Sequence, residues 1–217
     1  IVVVGANLSL ALLIAALEST PVGAIASEEL DEPVVCNESA PLIVALDPLD
    51  GSSNIDTDVS IGTIFSILPA SADAGGGAAH AFLQPGSRQK AAGYVIYGPQ
   101  CALVLTVGKG THIFTLDRVS GEFRLTKPAI QIPASTREYA INASNQRHWS
   151  EAMRAYFADC VEGEDGPRGE DFNMRWIASL VAECHRILAR GDVFLYRADA
   201  RKGYQLGRLR LLYEANP

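Results

Sequence analysis

The chain has 217 residues, 48% of them hydrophobic and 20% charged, an ordinary balance for a globular protein of one large or two small domains. Its net charge of −7 excludes a surface built for nonspecific nucleic-acid binding, so an anionic ligand must be met by local positive charge from arginines or metal ions. Cys36, Cys101, Cys160 and Cys184 form no CxxC pair and are expected as reduced thiols of a cytoplasmic protein, and the histidines show no HExxH zinc spacing.

The apolar start, residues 1–17, lacks a basic leader and is interrupted by Gly5, Asn7 and Ser9, so it reads as a buried helix rather than a membrane span. A helix is expected over 8–18, with Pro21 marking its end. A short apolar strand over 22–27 then leads into Glu28-Glu29. The run Leu42-Ile43-Val44-Ala45-Leu46 reads as a buried strand, and 62–68 as another. Residues 71–79, with three consecutive glycines, are expected as a loop. Between 93 and 126 the pattern predicts an antiparallel meander, with strands over 94–97, 101–107, 112–116 and 122–125 and turns at Gly108-Lys109-Gly110 and Ser120-Gly121.

Pro128 and Pro133 bracket a linker, dividing the chain into domains 1–130 and 131–217. Beyond it a helix is expected over 150–160 and a polar loop over 162–170. Ile177, Leu180, Val181, Cys184 and Leu188 form an apolar helical stripe that Gly191 terminates. Strands are expected over 193–196 and 209–213. The mixture predicts a layered α+β or α/β fold.

One stretch carries chemistry. Asp47 and Asp50 stand three residues apart where the apolar run ends, and Pro48 stiffens the backbone between them. Gly51 permits a close backbone approach, and Ser52, Ser53 and Asn54 suit a helix start with free N–H groups. Hard carboxylate oxygens beside such a turn can hold a divalent cation and a phosphate together. Taken singly, these residues describe only a capped strand-to-helix turn, and a Glu pair such as Glu28-Glu29 is most often solvated surface.

Read as a whole, Asp47-Pro48-Leu49-Asp50-Gly51-Ser52 resembles the metal-dependent sugar and inositol phosphatase superfamily. The extension Ser53-Asn54-Ile55-Asp56 and the following Val59-Ser60-Ile61-Gly62-Thr63-Ile64-Phe65 resemble class 1 fructose-1,6-bisphosphatases of proteobacterial type. Ala26-Ser27-Glu28-Glu29, Phe82-Leu83-Gln84-Pro85-Gly86, Ala91-Ala92-Gly93-Tyr94, Tyr139-Ala140-Ile141-Asn142-Ala143-Ser144-Asn145, Phe172-Asn173-Met174-Arg175-Trp176-Ile177-Ala178-Ser179 and Gly207-Arg208-Leu209-Arg210-Leu211-Leu212-Tyr213-Glu214-Ala215-Asn216-Pro217 match in order. With no initiating Met and an end just after a motif that family members continue past, the chain is expected to lack both ends of the family's sequence.

The resemblance implies an αβαβα sandwich and a Mg²⁺-dependent hydrolysis of the 1-phosphate of fructose 1,6-bisphosphate, with sedoheptulose 1,7-bisphosphate as a second substrate. It implies two or three Mg²⁺ ions per site, with Mn²⁺ an alternative, held by Glu28, Asp47, Asp50, Glu214 and the Leu49 carbonyl. Glu29 would help position a metal or the attacking water. Gly51, Ser52 and Ser53 would hold the 1-phosphate, and Asn142, Arg175 and Tyr196 the 6-phosphate. Arg208 stands where the family usually has Lys, a wider fork in place of a point charge. The family's homotetramer would bring Arg175 to a subunit interface; no nucleic-acid or membrane partner is implied.

The family also uses an Asp upstream of Glu28, whereas no acidic residue precedes Glu18 here. Pro41, Leu42 and Pro69 occupy positions where AMP-inhibited members carry hydrogen-bonding side chains, so AMP inhibition through that site is expected to be absent. The alternatives are an inactive sugar-phosphate-binding homologue and another phosphatase of the superfamily, of inositol type.

Overall fold

The computed structural model describes residues 2–70, 77–196 and 209–217, with the side chains of 2–4 left aside. The chain divides into two compact units, one of 1–131, 179–182 and 210–217, the other of 132–178 and 183–209.

The first unit is built on an eight-stranded sheet in the order β2-β1-β3-β4-β5-β6-β7-β8. Its strands are β1 (Val22–Ser27), β2 (Val34–Val35), β3 (Leu42–Asp50), β4 (Ile61–Pro69), β5 (Ala91–Tyr97), β6 (Cys101–Thr106), β7 (Thr111–Asp117) and β8 (Glu122–Lys127). β1 and β3 are parallel, and the other neighbours are antiparallel, so β5 to β8 form the expected meander, which β4 extends. Every residue of β3 after Leu42 is buried, which is why the strand reads as an unbroken apolar run.

Alternation along β1 and β3 sorts their side chains to two cores. Ile25, Val44 and Leu46 face Leu10 of α1 (Val2–Leu17). Ala24, Ala26, Ile43 and Ala45 pack with Leu68, with Phe82 beside the short helix α2 (Ala78–Ala81), and with Leu212 and Tyr213. Asp47 shares the parity of Ile43 and Ala45, so the strand's period turns it toward the side packed by Leu212 and Tyr213. α1 buries only one side: Ala6 and Leu10 are buried, while Leu8 and Leu12 are 60% and 64% exposed. Among the described residues, no helix is long and apolar enough to cross a membrane.

Several expectations need correction. α1 spans Val2–Leu17 rather than 8–18. β3 does not end at Leu46 but continues through Asp50, with a register shift between Asp47 and Asp50. Pro48 sits within this irregularity, where a missing N–H is tolerated, and its carbonyl accepts the Thr63 hydroxyl at 2.9 Å. The strand expected over 209–213 is instead a single π-helical turn, Leu211–Ala215. Of the loop expected over 71–79, residues 71–76 lie outside the described residues, and Ala78 and Ala79 belong to α2.

The second unit holds a parallel three-stranded sheet, β10-β9-β11, made of β9 (Glu138–Ile141), β10 (Asn173–Arg175) and β11 (Val193–Leu195). Parallel neighbours need crossover connections, supplied by α3 (Glu151–Val161) and by α4 (Leu180–Arg190), whose first residues count with the first unit. Ser150 caps α3 by accepting the Met153 N–H. Gly191, at φ 72°, ends α4 by donating its N–H to the Ile187 carbonyl. Tyr139, Ile141, Met153 and Cys160 form this unit's core.

Candidate active site

Asp47 is 2% exposed on β3, with its Oδ1 accepting the Leu49 N–H at 2.9 Å. Burial, reinforced by the negative charge of Glu28, pushes its carboxyl up to about 8. Asp50 ends the same strand, 7% exposed. Its Oδ2 accepts the Val181 N–H at 2.8 Å and the Ser179 hydroxyl at 3.2 Å. Burial raises the Asp50 carboxyl above the ordinary range, and these donors only partly offset it.

Two glycines make room for this arrangement. Gly51 adopts φ 75°, and a Cβ there would stand 2.9 Å from the Ser179 Cβ. Gly62 pairs with Asp50 across the β3–β4 register, and a Cβ on it would stand 2.8 Å from Val181 Cγ1. The missing side chain lets Val181 approach closely enough to donate its N–H to Asp50.

Glu214 lies in the π-helical turn, whose Leu212 and Tyr213 pack on the Ala24–Ile43 core. That anchoring delivers its carboxylate to β3. Oxygens of Asp47, Asp50 and Glu214 lie within 4.8 Å of one another. Glu28, in the turn after β1, stands outside that triplet but shares its field: burial raises its carboxyl, and Glu214, Glu29 and Asp50 raise it further against the lowering effect of Arg210. Arg210 is ion-paired with Glu28, lies 3.9 Å from Glu214 and donates its backbone N–H to the same carboxylate.

Three acids at such separation, two of them buried, repel one another and are poorly solvated. All their donor atoms are hard oxygens, the set that suits Mg²⁺, Mn²⁺ or Ca²⁺. Among the described residues no ion pair reaches Asp47 or Asp50, so a divalent cation fits the cluster on chemical grounds.

The other expected residues are placed as follows. Glu29 is exposed, its N–H on the Ser27 hydroxyl at 3.3 Å. Ser52 and Ser53 open a 3₁₀ helix, Ser52–Thr57, directly after Gly51. Asn142 caps the 3₁₀ helix Ala143–His148 by accepting the Ser144 N–H at 3.1 Å. Arg175 ends β10 with its side chain 47% exposed. Tyr196 follows β11 and packs against Trp176 and Phe194, with centroids 5.6 and 6.0 Å away. Arg208 lies outside the described residues. Sequence reasoning gave no role to Ser179, Val181 or Arg210. Ser179 carried a readable signal, a serine opening an apolar helical stripe. Its partner Asp50 is 129 residues away, a pairing no local pattern reveals.

A mixed sheet carrying converged carboxylates at the end of a buried strand defines a layered α/β protein with a metal-type site. Residues 6–128 match the family described as Fructose-1-6-bisphosphatase, N-terminal domain, and residues 132–217 the one described as Fructose-1-6-bisphosphatase, C-terminal domain. The chain belongs to the fructose-1,6-bisphosphatase family. It is 58% identical over 202 residues to a class 1 fructose-1,6-bisphosphatase of Nitrobacter hamburgensis, covering 93% of this chain and 57% of that protein. It is 60% identical over 201 residues to the class 1 enzyme of Rhizobium meliloti, covering 93% of this chain and 58% of that one. The crystal structure of Leishmania major fructose-1,6-bisphosphatase in holo form superposes with a TM-score of 0.89 at 34% identity, covering 98% of this chain and 66% of that one. The chain thus spans under two thirds of the length of these curated relatives. The layered α/β class expected from the sequence is the class observed.

Proposed function

We propose that the protein hydrolyses the 1-phosphate of fructose 1,6-bisphosphate in a Mg²⁺-dependent reaction, giving fructose 6-phosphate and inorganic phosphate. The observation that carries this reading is the approach of Asp47, Asp50 and Glu214 to within 4.8 Å in a chain of this family. Those three acids, with Glu28 and the Leu49 carbonyl, would hold two or three Mg²⁺ ions, or Mn²⁺. Bound there, a divalent cation supplies a lowered water pKa and charge neutralisation at the phosphate.

The chain's own groups do the rest. Glu29 orients the attacking water. The Gly51 N–H and the hydroxyls of Ser52 and Ser53 hold the 1-phosphate, and αL Gly51 lets the backbone approach it. Asn142, Arg175 and Tyr196 hold the 6-phosphate, for which the planar guanidinium fork is well shaped. Arg208 contacts the sugar. The assembly is a homotetramer in which Arg175 serves a neighbouring subunit's substrate. Sedoheptulose 1,7-bisphosphate is a second substrate, and the pathway is gluconeogenesis or carbon fixation. Four free cysteines suit a reducing cytoplasm.

The test is phosphate release from fructose 1,6-bisphosphate by the purified protein, with Mg²⁺ and then with EDTA. Release that EDTA abolishes is expected. Release from inositol monophosphate but not from the bisphosphate would replace this reading with the inositol-type alternative. No release from either would leave a sugar-phosphate-binding protein.

A further inference from the structure

Arg175 is held by a carboxylate that the reading above does not use. Glu138 opens β9 and pairs in register with Asn173 of β10, and Arg175 lies two residues further along β10. The strand period puts Glu138, Asn173 and Arg175 on one face of the sheet. There the Glu138 carboxylate lies among three guanidinium groups. Arg175 Nε is 3.4 Å from its Oε1, Arg186 Nη1 2.9 Å from its Oε2, and Arg190 Nη1 3.7 Å from its Oε1.

The ring is anchored from below. Arg186 is 12% exposed and also pairs with Glu183, at 2.6 Å, and with Asp192. Glu183 is fully buried and accepts the Ile177 N–H at 2.6 Å. Burial alone would raise the Glu138 carboxyl, but the Arg186 hydrogen bond and the Arg175 charge outweigh it and hold the group below the ordinary range. Glu138 is therefore fixed and charged.

Two details decide what it does to Arg175. The contact engages Nε, which leaves the two terminal nitrogens as the guanidinium's further donors. Those terminal nitrogens are the pair that forks onto a phosphate. In addition, Arg175 is one of three cations around Glu138, beside Arg186 and Arg190. A half-exposed arginine on an edge strand would otherwise sample many rotamers, and fixing them beforehand removes entropy that phosphate binding would have to overcome.

We infer that Glu138 is a positioning residue for substrate affinity, clamping Arg175 through Nε so that its terminal nitrogens are presented to the substrate's distal phosphate. This rests on the bisphosphatase reading. The experiment is steady-state kinetics of the Mg²⁺-loaded protein with fructose 1,6-bisphosphate, for Glu138→Gln, Arg175→Ala and the double variant. Glu138→Gln should raise KM about tenfold with kcat within about twofold, because the interaction acts on binding. In the Arg175→Ala background the same change should leave KM unmoved, since a clamp without its arginine has nothing to hold.

Glu138→Asp serves as the conservative control: it keeps the charge and should recover part of the lost affinity if Glu138→Gln folds poorly. Normal turnover with an unchanged KM in Glu138→Gln, or an equal KM increase with and without Arg175, overturns the positioning role and leaves the enzyme reading intact. Absence of turnover in the unmutated protein overturns the enzyme reading, and this role with it.

Discussion

Asp47 and Glu138 are both carboxylates on strands, yet their surroundings push them in opposite directions. Asp47 is raised to about 8 by burial and by the neighbouring charge of Glu28. Glu138 is held below the ordinary range because arginines outweigh its burial. The first cluster gathers three acids within 4.8 Å, and Arg210 sits at its Glu28 and Glu214 end. The second sets Arg186 against Glu138, Glu183 and Asp192 and brings in Arg175 and Arg190. A buried group of like charges is unfavourable until a cation arrives, whereas the mixed network draws its counter-charges from the chain's own residues. Charge balance, more than the number of acids, separates a site that awaits a ligand from one that positions a side chain.

Neutralising one central charge in each cluster should change different quantities. Asp50→Asn should lower Mg²⁺-dependent phosphate release by about a thousandfold, the loss of several kcal/mol of charge stabilisation at the reacting phosphate. Its metal-free fold should be no less stable, because the substitution removes an unfavourable charge. A variant that keeps full turnover would take Asp50 out of the reaction. In the mixed network the signs reverse. Arg186→Met should cost about 3–5 kcal/mol in denaturant unfolding, because Glu183 is left buried without its cation. A cost below about 1 kcal/mol would mean that water reaches Glu183 and that the network is surface-like.

A smaller effect is carried by pH. The ordinary Asp47 carboxyl titrates at 3.8, while the folded one is raised to about 8. The folded state therefore binds the extra proton between those values. Its contribution to stability is fully present below about 3.8 and is lost as pH rises through about 8. With EDTA, thermal stability should decline over that range, and the gain on adding Mg²⁺ should be larger at pH 8 than at pH 6, since the metal binds only the charged carboxylate. An equal gain at both pH values would mean that the cluster binds no metal through Asp47.

Much of this site is legible in the sequence, for identifiable reasons. Asp47 and Asp50 stand out because a strand buried on both faces must be apolar, so two acids at its end demand an explanation. Glu214 was also expected as a ligand, but on a strand. Leu211, Leu212 and Tyr213 make an apolar run too short to distinguish a strand from a helical turn, and packing on the β1–β3 core settled it. β9 and β10 were missed as strands because four and three residues carry almost no periodicity. Ser179, Val181 and Arg210 were missed as partners because each acts across well over a hundred residues of chain. Sequence shows which groups are chemically unusual; only the fold shows what each one faces.

Ser179 offers the finest discrimination within the acidic cluster. Its hydroxyl donates to Asp50 Oδ2 at 3.2 Å and accepts the Ala182 N–H at 3.4 Å. Ser179→Ala removes one of the donors that favour the charged carboxylate, while the Val181 N–H, at 2.8 Å, stays in place. A hydrogen bond to a charged group is worth about 1.5–3 kcal/mol at most, and the remaining N–H retains part of it. Asp50 should then hold its proton more tightly, and Mg²⁺ half-saturation should rise about three- to tenfold with kcat little changed. Loss of the helix cap should add about 1 kcal/mol of destabilisation, measured without metal. If stability falls but Mg²⁺ half-saturation does not move, Ser179 acts only as a cap, and the Val181 N–H alone sets the Asp50 carboxylate.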